Sequence, residues 1–232
     1  RQQSSDLPPE LDVRFGEDLS IRCVLMPAGE FLMGNQTGLG DETPLAQVRI
    51  EQPFYMGCTE VTNAQFRAVA SLSHNSGHEG WRSIDWRGEG YDLDLPDQPA
   101  VRVSWHEAMQ FCRKLSDETG LHITLPTEAQ WEWACRAGTA TRMWYGDTND
   151  DFSAAENLAG REQQQFAFRA KRKWYLRDDR YDDGALVTTT VGSYRPNPWG
   201  LFDMHGNASE WTRSIYSDRF LCDSDDLTDV NS

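Results

Sequence analysis

Apolar residues recur at helical spacing in three short segments of the chain, and each segment opens with a helix-start signal. In that signal a Ser or Thr precedes a Glu or Gln by three positions, so that side chains and backbone amides cap one another reciprocally. The three pairs are Thr62 with Gln65, Ser104 with Glu107, and Thr127 with Gln130. The pattern predicts three amphipathic helices that each bury one face.

The second and third predicted helices have clear apolar faces. The face of the second helix comprises Ala108, Phe111, Cys112 and Leu115. The third helix directs inward Trp131, Ala134 and Cys135. Gly138 is expected to end that helix, because glycine readily adopts the left-handed conformation that terminates helices. We therefore expect these side chains to be structural.

Strand-like runs of apolar and β-branched residues are short and lie between long irregular connections. They cover residues 21–26, 47–50, 54–57 and 187–191. Few helices, short strands and much irregular chain predict an α+β domain. Since we find neither an internal repeat nor a long linker, the simplest division is one domain over residues 21–232, preceded by an N-terminal extension at residues 1–20.

The composition is that of a globular domain with an acidic surface. The 232 residues are 38% hydrophobic and 11% aromatic, enough for one sizeable core. The net charge of -15 argues against nonspecific binding to nucleic acid or to an anionic membrane. No apolar run is long enough to insert into a bilayer. The charge suits a secreted or periplasmic calcium-binding protein, although an acidic surface also serves solubility alone.

The cysteines and histidines show no pattern of a known metal or redox site. The five cysteines form no CxxC pair and no zinc-like spacing. Their odd number leaves at least one thiol unpaired within this chain. Cys112 and Cys135 lie on predicted helices beside aromatic residues, where a cysteine usually acts as a small buried apolar group. The five histidines lack a recognised ligand spacing such as HExxH.

The segment at residues 197–212 is too rich in turn formers, carboxylates and tryptophans for a helix or a regular strand. Something other than repeated backbone hydrogen bonds must hold it. Asp203 and Glu210 are hard oxygen donors, and the glycine-containing turn between them can direct backbone carbonyls to the same point, as calcium requires. The alternative is a tight loop in which both carboxylates only accept backbone hydrogen bonds.

Within that segment, the sequence GLFDMHGNASEWT at residues 200–212 resembles the GLYDMxGNVWEWT signature of the formylglycine-generating enzyme and sulfatase-modifying-factor family. Four further motifs follow the order of that family, at residues 26–34, 60–66, 99–105 and 125–134. The resemblance extends from Val24 to Thr212. It implies a C-type-lectin-like fold with unusually little regular secondary structure, often stabilised by calcium.

The resemblance also implies two structural calcium sites, each with two side chains and two backbone carbonyls. The first set is Asn157, Leu158, Asp183 and Ala185, with Asp182 as an alternative to Asp183. The second set is Asp203, Gly206, Ala208 and Glu210. Oxygen donors of this kind are what a hard cation prefers. Up to two calcium ions are therefore expected, and their removal should loosen the domain.

The family includes oxidases that convert a sulfatase cysteine to formylglycine. The resemblance implies that this reaction needs a copper-binding cysteine pair in a C-terminal segment. In relatives, Cys112 and Cys135 can pair with cysteines of a later segment. Cys222 is the only cysteine after the signature here, and it precedes an acidic run at residues 223–226. Nearby carboxylates would raise its pKa and disfavour thiolate chemistry. We therefore assign no catalytic residue.

The sequence favours a noncatalytic, calcium-stabilised module that binds or scaffolds a protein or peptide partner. The alternative is a formylglycine-generating oxidase whose cysteine-bearing C-terminal segment is missing from this chain, and only then is copper expected. A core left open by that absence predicts an oligomeric contact or a larger parent chain. Sugar binding is disfavoured, because the implied calcium ligands leave no open coordination position.

Two segments are candidate recognition surfaces. Residues 72–98 form a Gly-, Asp- and His-rich loop that carries exposed-looking aromatic residues. Residues 161–180 are basic and interleaved with aromatic residues, which suits an anionic partner in an otherwise acidic protein. Each also has a plainer explanation, a loop packed by its own aromatic residues and a solvated face balanced by nearby acids.

Overall fold

The computed structural model describes residues 7–36, 42–70, 82–84, 90–147, 149–158, 160 and 180–215. Most of the predicted recognition loop at residues 72–98 lies outside these residues. The basic stretch, apart from Arg180, and Cys222 also lie outside them. The elements follow in this order: β1 (Glu10–Phe15), β2 (Leu19–Met26), β3 (Gly29–Met33), β4 (Ala46–Ile50), β5 (Phe54–Gly57), α1 (Asn63–Ala70), β6 (Arg82–Ile84), β7 (Gly90–Asp92), α2 (Trp105–Thr119) and α3 (Glu128–Arg136).

The strands of the described residues form small antiparallel sheets. β1, β2 and β5 form a three-stranded sheet in that spatial order, β3 pairs with β4, and β6 pairs with β7. The β1–β2 hairpin keeps a continuous register from Glu10 opposite Val24 to Phe15 opposite Leu19. The outer strand of this sheet, β1, therefore lies within the predicted N-terminal extension at residues 1–20. Alternate residues of β1 are buried in the core.

The predicted strands at residues 21–26, 47–50 and 54–57 are confirmed as β2, β4 and β5. The predicted strand at residues 187–191 is wrong, because this segment forms bends and a turn. Thr189 N–H donates to Asn207 Oδ1 at 2.8 Å, and Val191 N–H donates to the Asp97 carbonyl at 2.9 Å. The β-branched residues fit a strand pattern. The backbone N–H groups of this segment, however, donate to a side chain and to an isolated carbonyl and not to a neighbouring strand.

All three predicted helix starts are confirmed by reciprocal capping. At α1, Gln65 N–H donates to Thr62 Oγ1 at 3.2 Å, and Thr62 N–H donates back to Gln65 Oε1 at 2.9 Å. The same arrangement opens α2 and α3. At the end of α3, the first left-handed residue is Ala137 at φ 47°, one position before the predicted Gly138. No helix in the described ranges has both the length and the apolar character needed to cross a membrane.

The described core consists of three apolar clusters. The first packs α1 and α2 against β1 around Leu115. The second packs β3 and β4 against Trp133 of α3. The third places Leu201 and Met204 against β2 and α3. The segment at residues 197–212 is therefore part of the core, although it forms neither helix nor strand.

Candidate functional site

The turn-rich segment at residues 197–212 is anchored by one buried asparagine. The Asn197 side chain donates to the Ala134 carbonyl in α3 at 2.8 Å. Its Oδ1 accepts the backbone N–H groups of Trp199 and Leu201 at 3.0 and 3.1 Å. Because one amide side chain both donates and accepts, it can join α3 to an irregular segment without leaving buried polar groups unpaired.

Two residues of this segment adopt left-handed backbone conformations that most side chains disfavour. They are Asp203 at φ 57° and Asn207 at φ 61°. Asp203 is 3% exposed, and its Oδ2 accepts the Gly192 N–H at 2.7 Å. Its buried Oδ1 has no hydrogen-bond partner among the described residues. The turn therefore contains a buried carboxylate with one unsatisfied oxygen.

Glu60, which lies between β5 and α1, places a second buried carboxylate beside Asp203. Its Oε1 accepts an Asn207 side-chain N–H at 3.0 Å, whereas its buried Oε2 has no hydrogen-bond partner in the described part of the chain. Burial, then the charge of Asp203 and that of Glu210, raises the pKa of Glu60 to about 9. Burial also raises the pKa of Asp203. Joint ionisation of this pair is costly unless a positive charge lies beside it.

The second predicted calcium set lies in one turn next to this pair. Glu210 Oε2 accepts the Trp131 Nε1–H at 2.5 Å. The Gly206 carbonyl accepts the Ala208 N–H at 2.7 Å, and Gly206 N–H donates to the Asp203 carbonyl at 3.3 Å. The structure thus joins Asp203, Gly206 and Ala208 within the turn, with Glu60 beside Asp203, whereas the bond to Trp131 directs the Glu210 side chain to α3.

The first predicted calcium set is assembled around Asp183. Asp183 Oδ2 accepts the Leu158 N–H at 2.8 Å, and its Oδ1 accepts the Ala185 N–H at 2.9 Å. Burial raises the pKa of Asp183, and these hydrogen bonds act in the opposite direction. Asp182, the alternative ligand, is exposed and accepts the Gly184 N–H at 2.9 Å. The geometry therefore favours Asp183 over Asp182 as the partner of Leu158.

Asn157 joins the two sets. Its Nδ2 donates to the Val187 carbonyl at 2.9 Å and to Asn207 Oδ1 at 3.0 Å, and its carbonyl accepts the Asn207 N–H at 2.9 Å. A Cβ on Gly206 would lie 2.3 Å from that same carbonyl oxygen. Only glycine allows the two loops to approach this closely.

The donor atoms fit calcium better at the second set than at the first. No three His, Cys, Asp or Glu side chains of the described residues converge closely enough to hold a metal ion by themselves. A cation would therefore need backbone carbonyls as well, as is common for calcium. At the second set, the cation would place a positive charge beside Asp203 Oδ1 and Glu60 Oε2. At the first set, both Asp183 oxygens already accept backbone N–H groups.

A cysteine and a histidine lie together beneath the turn, but they are not suited to nucleophilic chemistry. Cys135 Sγ is 3.5 Å from His205 Nδ1, and His205 Nε2 accepts the Trp144 N–H at 3.1 Å. Burial, followed by the charge of Glu156, raises the pKa of Cys135. Burial and the nearby Arg136 lower the pKa of His205 to about 4. Both groups are neutral at pH 7, so the pair does not generate a thiolate.

The other described thiols are structural as well. Burial raises the pKa of Cys23 and of Cys112 to about 11, and it also raises that of Cys58. All four described cysteines are free and buried. The expected role of Cys112 and Cys135 as small buried groups is confirmed. A reactive cysteine needs access and a lowered pKa, and none of these four has both.

A cavity of about 620 Å³ opens between the β1–β2–β5 sheet, α2 and the segment at residues 202–213. Its lining includes apolar residues of the sheet, together with Trp131, Trp211, Glu60 and Glu210. Trp211 is 50% exposed. The volume is that of a ligand or peptide pocket. An apolar cavity with acidic groups in its lining suits an extended segment that carries apolar side chains and a cation.

Glu60 and the cavity are the features that sequence reasoning missed. The only signal for Glu60 was its position in a family motif directly before a helix cap. That signal did not indicate a contact with Asp203, because the contact joins residues that are distant in the chain.

Comparison with known proteins identifies the family. The profile described as sulfatase-modifying factor enzyme 1-like domain matches residues 17–227. This chain belongs to that family. The formylglycine-generating enzyme of Streptomyces coelicolor is a 31% identical family member, and the match covers 87% of this chain and 71% of that enzyme. The inactive C-alpha-formylglycine-generating enzyme 2 of Bos taurus is 25% identical, over 88% of this chain and 74% of that protein.

Solved structures support the fold expected for the family. PvdO from Pseudomonas aeruginosa matches with a TM-score of 0.62 and 27% identity, over 87% of this chain and 73% of PvdO. Treponema denticola variable protein 1 matches with a TM-score of 0.66 and 19% identity, over 89% of this chain and 77% of that protein, and shows the fold alone. The predicted α+β, C-type-lectin-like fold is confirmed. The chain spans 57% of the length of the formylglycine-generating enzyme of Bos taurus.

Proposed function

We propose that this family member is a calcium-stabilised module that binds an extended protein or peptide segment without oxidising it. One observation carries the proposal: Asp203 and Glu60 bury unsatisfied carboxylate oxygens beside each other at the signature turn. Ionising both buried carboxylates without a compensating charge would cost several kcal/mol. Calcium would compensate it, because the ion neutralises carboxylates and accepts several oxygen ligands.

The residues that would hold calcium are the two predicted sets. Asp203 and Glu210 would supply charge in the second set, and Asp183 would do so in the first. The Asn157 side-chain oxygen and the backbone carbonyls of Leu158, Ala185, Gly206 and Ala208 would complete the oxygen donors. Bound calcium would supply positive charge and fixed geometry to irregular chain. The protein's own residues would orient the two loops around Asn157.

The noncatalytic part of the proposal is supported by the thiols. The described cysteines are buried and protonated at pH 7, so they are poorly suited to bind copper as thiolates. The relative from Bos taurus that is named inactive provides a precedent within the family.

The proposed partner is a protein or peptide segment that enters the cavity near Trp211. The net charge of -15 favours neutral or basic segments and disfavours nucleic acid. The proposal includes a secreted or periplasmic location, where calcium concentrations suit sites of modest affinity. It also allows an oligomer or a larger parent chain to cover apolar surface that remains open.

A second candidate function is formylglycine generation itself. The 31% identity to the Streptomyces enzyme favours it. It would require a copper-binding cysteine pair from outside the described residues, because the thiols of Cys23, Cys58, Cys112 and Cys135 are buried.

Two measurements on the full chain separate these functions. The first follows thermal unfolding with calcium and with a chelator; a saturable rise in melting temperature with calcium is expected, and no rise would contradict calcium stabilisation. The second mixes the protein and copper with a Cys-x-Pro-x-Arg peptide and follows the peptide mass. Binding without the mass loss of formylglycine formation supports the module, and copper-dependent turnover would establish the oxidase.

Serine and tryptophan variants control the peptide experiment. A peptide with Ser in place of Cys cannot be converted by the same route and therefore reports binding alone. Replacing the half-exposed Trp211 by Ala should weaken binding of both peptides if they occupy the cavity. Equal affinity of this variant would exclude the Trp211 side of the cavity as the binding surface.

A further inference from the structure

The three-stranded sheet ends at β5, and the outer edge of this strand is open in the part of the chain that the structure describes. The spatial order is β1–β2–β5. Cys58 N–H donates to the Arg22 carbonyl at 2.8 Å, so the backbone groups of even-numbered residues here face β2. Because these groups alternate along an antiparallel pair, the N–H and C=O groups of Tyr55 and Gly57 point to the other side. Among the described residues, those four groups have no hydrogen-bond partner.

The two outer strands of this sheet differ in charge. β1 carries Glu10, Asp12 and Arg14 at exposed positions. Charged side chains along an edge discourage a further strand from pairing with it. β5 has the sequence Phe-Tyr-Met-Gly, which carries no charge, and all of its residues are half-buried. The sequence therefore protects the edge at β1 and leaves the edge at β5 able to accept a strand.

The cavity of about 620 Å³ adjoins this edge. Its lining includes every residue of β5, together with apolar residues such as Val61, Leu125 and Trp211. A strand of four residues would run about 13 Å beside β5, at about 3.3 Å per residue. Its backbone would bond Tyr55 and Gly57, and its alternate side chains would enter the apolar cavity.

We propose that the partner segment binds as a fourth strand along β5, and that its apolar residues alternate with Lys or Arg. The inference rests on the proposed function, because it specifies how the peptide partner occupies the cavity. The net charge of -15 attracts basic side chains at the positions that face away from the cavity. Residues 216–232 of the chain itself contain five Asp and one Arg, so their charge matches less well. A second copy of this acidic chain matches less well for the same reason.

The experiment uses the full chain and a pool of fluorescent octapeptides in which apolar residues alternate with Lys or Arg. A second pool has Glu in place of Lys and Arg and should bind more weakly. Fluorescence anisotropy selects the tightest peptide, and amide exchange followed by NMR compares the free and bound protein. Bound peptide should slow exchange of the Tyr55 and Gly57 N–H groups by at least about tenfold. Met56 is the internal control, because its N–H already faces β2 and should change little.

Tyr55→Pro and Tyr55→Ala form a matched pair of variants. Both lose the tyrosine hydroxyl that donates to the Pro8 carbonyl. Only proline also removes the outward N–H, and an edge strand tolerates proline where that N–H is not needed for pairing. Tyr55→Pro should bind the selected peptide about tenfold more weakly than Tyr55→Ala does, the effect of one backbone hydrogen bond. Near-ultraviolet circular dichroism checks both folds.

N-methylation of the peptide tests the same hydrogen bonds without changing the protein. Only one edge of a bound strand faces β5, and the N–H groups on that edge belong to alternate residues. Methyl groups on one alternate set of residues should therefore abolish binding. Methyl groups on the other set should spare it. Equal effects of the two sets would contradict strand pairing.

The outcomes distinguish strand addition from peptide binding as such. Slowed exchange at Tyr55 and Gly57, with weaker binding by Tyr55→Pro, supports a fourth strand. Peptide binding without either change would overturn strand addition and leave the peptide-binding module intact. Slow exchange at both residues before peptide is added would show that another segment of the chain or a second copy already covers the edge, and would overturn the proposal. Failure of both pools to bind would overturn the peptide-binding module as well.

Discussion

The two predicted calcium sets differ in how their carboxylates are satisfied. Both oxygens of Asp183 accept backbone N–H groups, so the first set is a complete hydrogen-bonded loop. At the second set, Asp203 and Glu60 each keep a buried oxygen without a described partner. The same residue type therefore has both oxygens bonded to backbone N–H groups in one loop, and only one of its two oxygens so bonded in the other. We infer that the second loop depends more strongly on an ion.

The largest effect is expected from Gly206→Ala, which acts on the contact between the two sets. Its Cβ would lie 2.3 Å from the Asn157 carbonyl oxygen, so the loops must separate at a cost of about 3 kcal/mol. Urea unfolding measures this loss. The matched control is Gly184→Ala, where no atom lies within 4 Å of the added Cβ and only the left-handed φ of 79° is disfavoured. Equal losses in both variants would contradict the importance of the contact.

Calcium removal should change the rate of amide hydrogen exchange more in one loop than in the other. We expect the Gly192 N–H, which donates to Asp203, to exchange at least about tenfold faster in a chelator, a change that corresponds to about 1.4 kcal/mol. The Leu158 and Ala185 N–H groups, which donate to Asp183, should change less because their acceptor is already well placed. Amide exchange followed by NMR tests this. A uniform change would remove the distinction between the sets.

Without calcium, the free energy of unfolding should fall as pH rises from 7 to 8. Glu60 has a pKa of about 9 in the folded state, against 4.5 as its ordinary value. The folded protein therefore binds this proton more tightly, and the stability present below pH 4.5 is lost as pH rises toward 9. Lowering of the His205 pKa to about 4 places its titration below this range.

Urea unfolding at the two pH values, in a chelator and in calcium, measures the effect. Calcium should flatten the dependence on pH, because the ion replaces the proton. Glu60→Gln keeps every cysteine and removes only this titration, so it is the control. Burial also raises the pKa of Glu156 to about 7, so a small residual slope is expected in that variant. A slope as steep as that of the parent would assign the pH dependence to groups other than Glu60.

The smallest effect is expected from Asp183→Asn in the absence of calcium. One side-chain oxygen becomes an amide that can no longer accept its backbone N–H, at a cost of about 1 kcal/mol. Asp182→Asn is the paired control and should change the free energy of unfolding by less than about 0.5 kcal/mol, since Asp182 is exposed. Urea unfolding decides between them, and a larger loss in Asp182→Asn would restore that residue as the alternative ligand.

Local signals allowed much of the fold to be predicted. Each helix start depends on residues three positions apart, so Thr62, Ser104 and Thr127 were identified without tertiary information. The signature motif likewise indicated the family and the irregular turn. The strand predicted at residues 187–191 failed because the side chain of Asn207, far along the chain, bonds both the N–H and the carbonyl of Thr189.

The candidate site was predicted less completely, for the same physical reason. Asp203 and Glu210 lie in one motif and were found together. Glu60 belongs to the site only because folding brings the connection before α1 to that motif. The neutral state of Cys135 and His205 also depends on burial and on neighbouring charges, which the sequence does not specify.

The double contact between Asn157 and Asn207 has a consequence for how calcium would be sensed. The backbone of Asn207 donates to Asn157, and the side chain of Asn157 donates back to Asn207. An ion in either loop would order this shared pair before a second ion arrives. Under the proposal, the two binding events are thermodynamically linked, and each ion raises the affinity for the other by the same factor. The domain would then respond to calcium concentration cooperatively, over a narrower range than two independent sites allow.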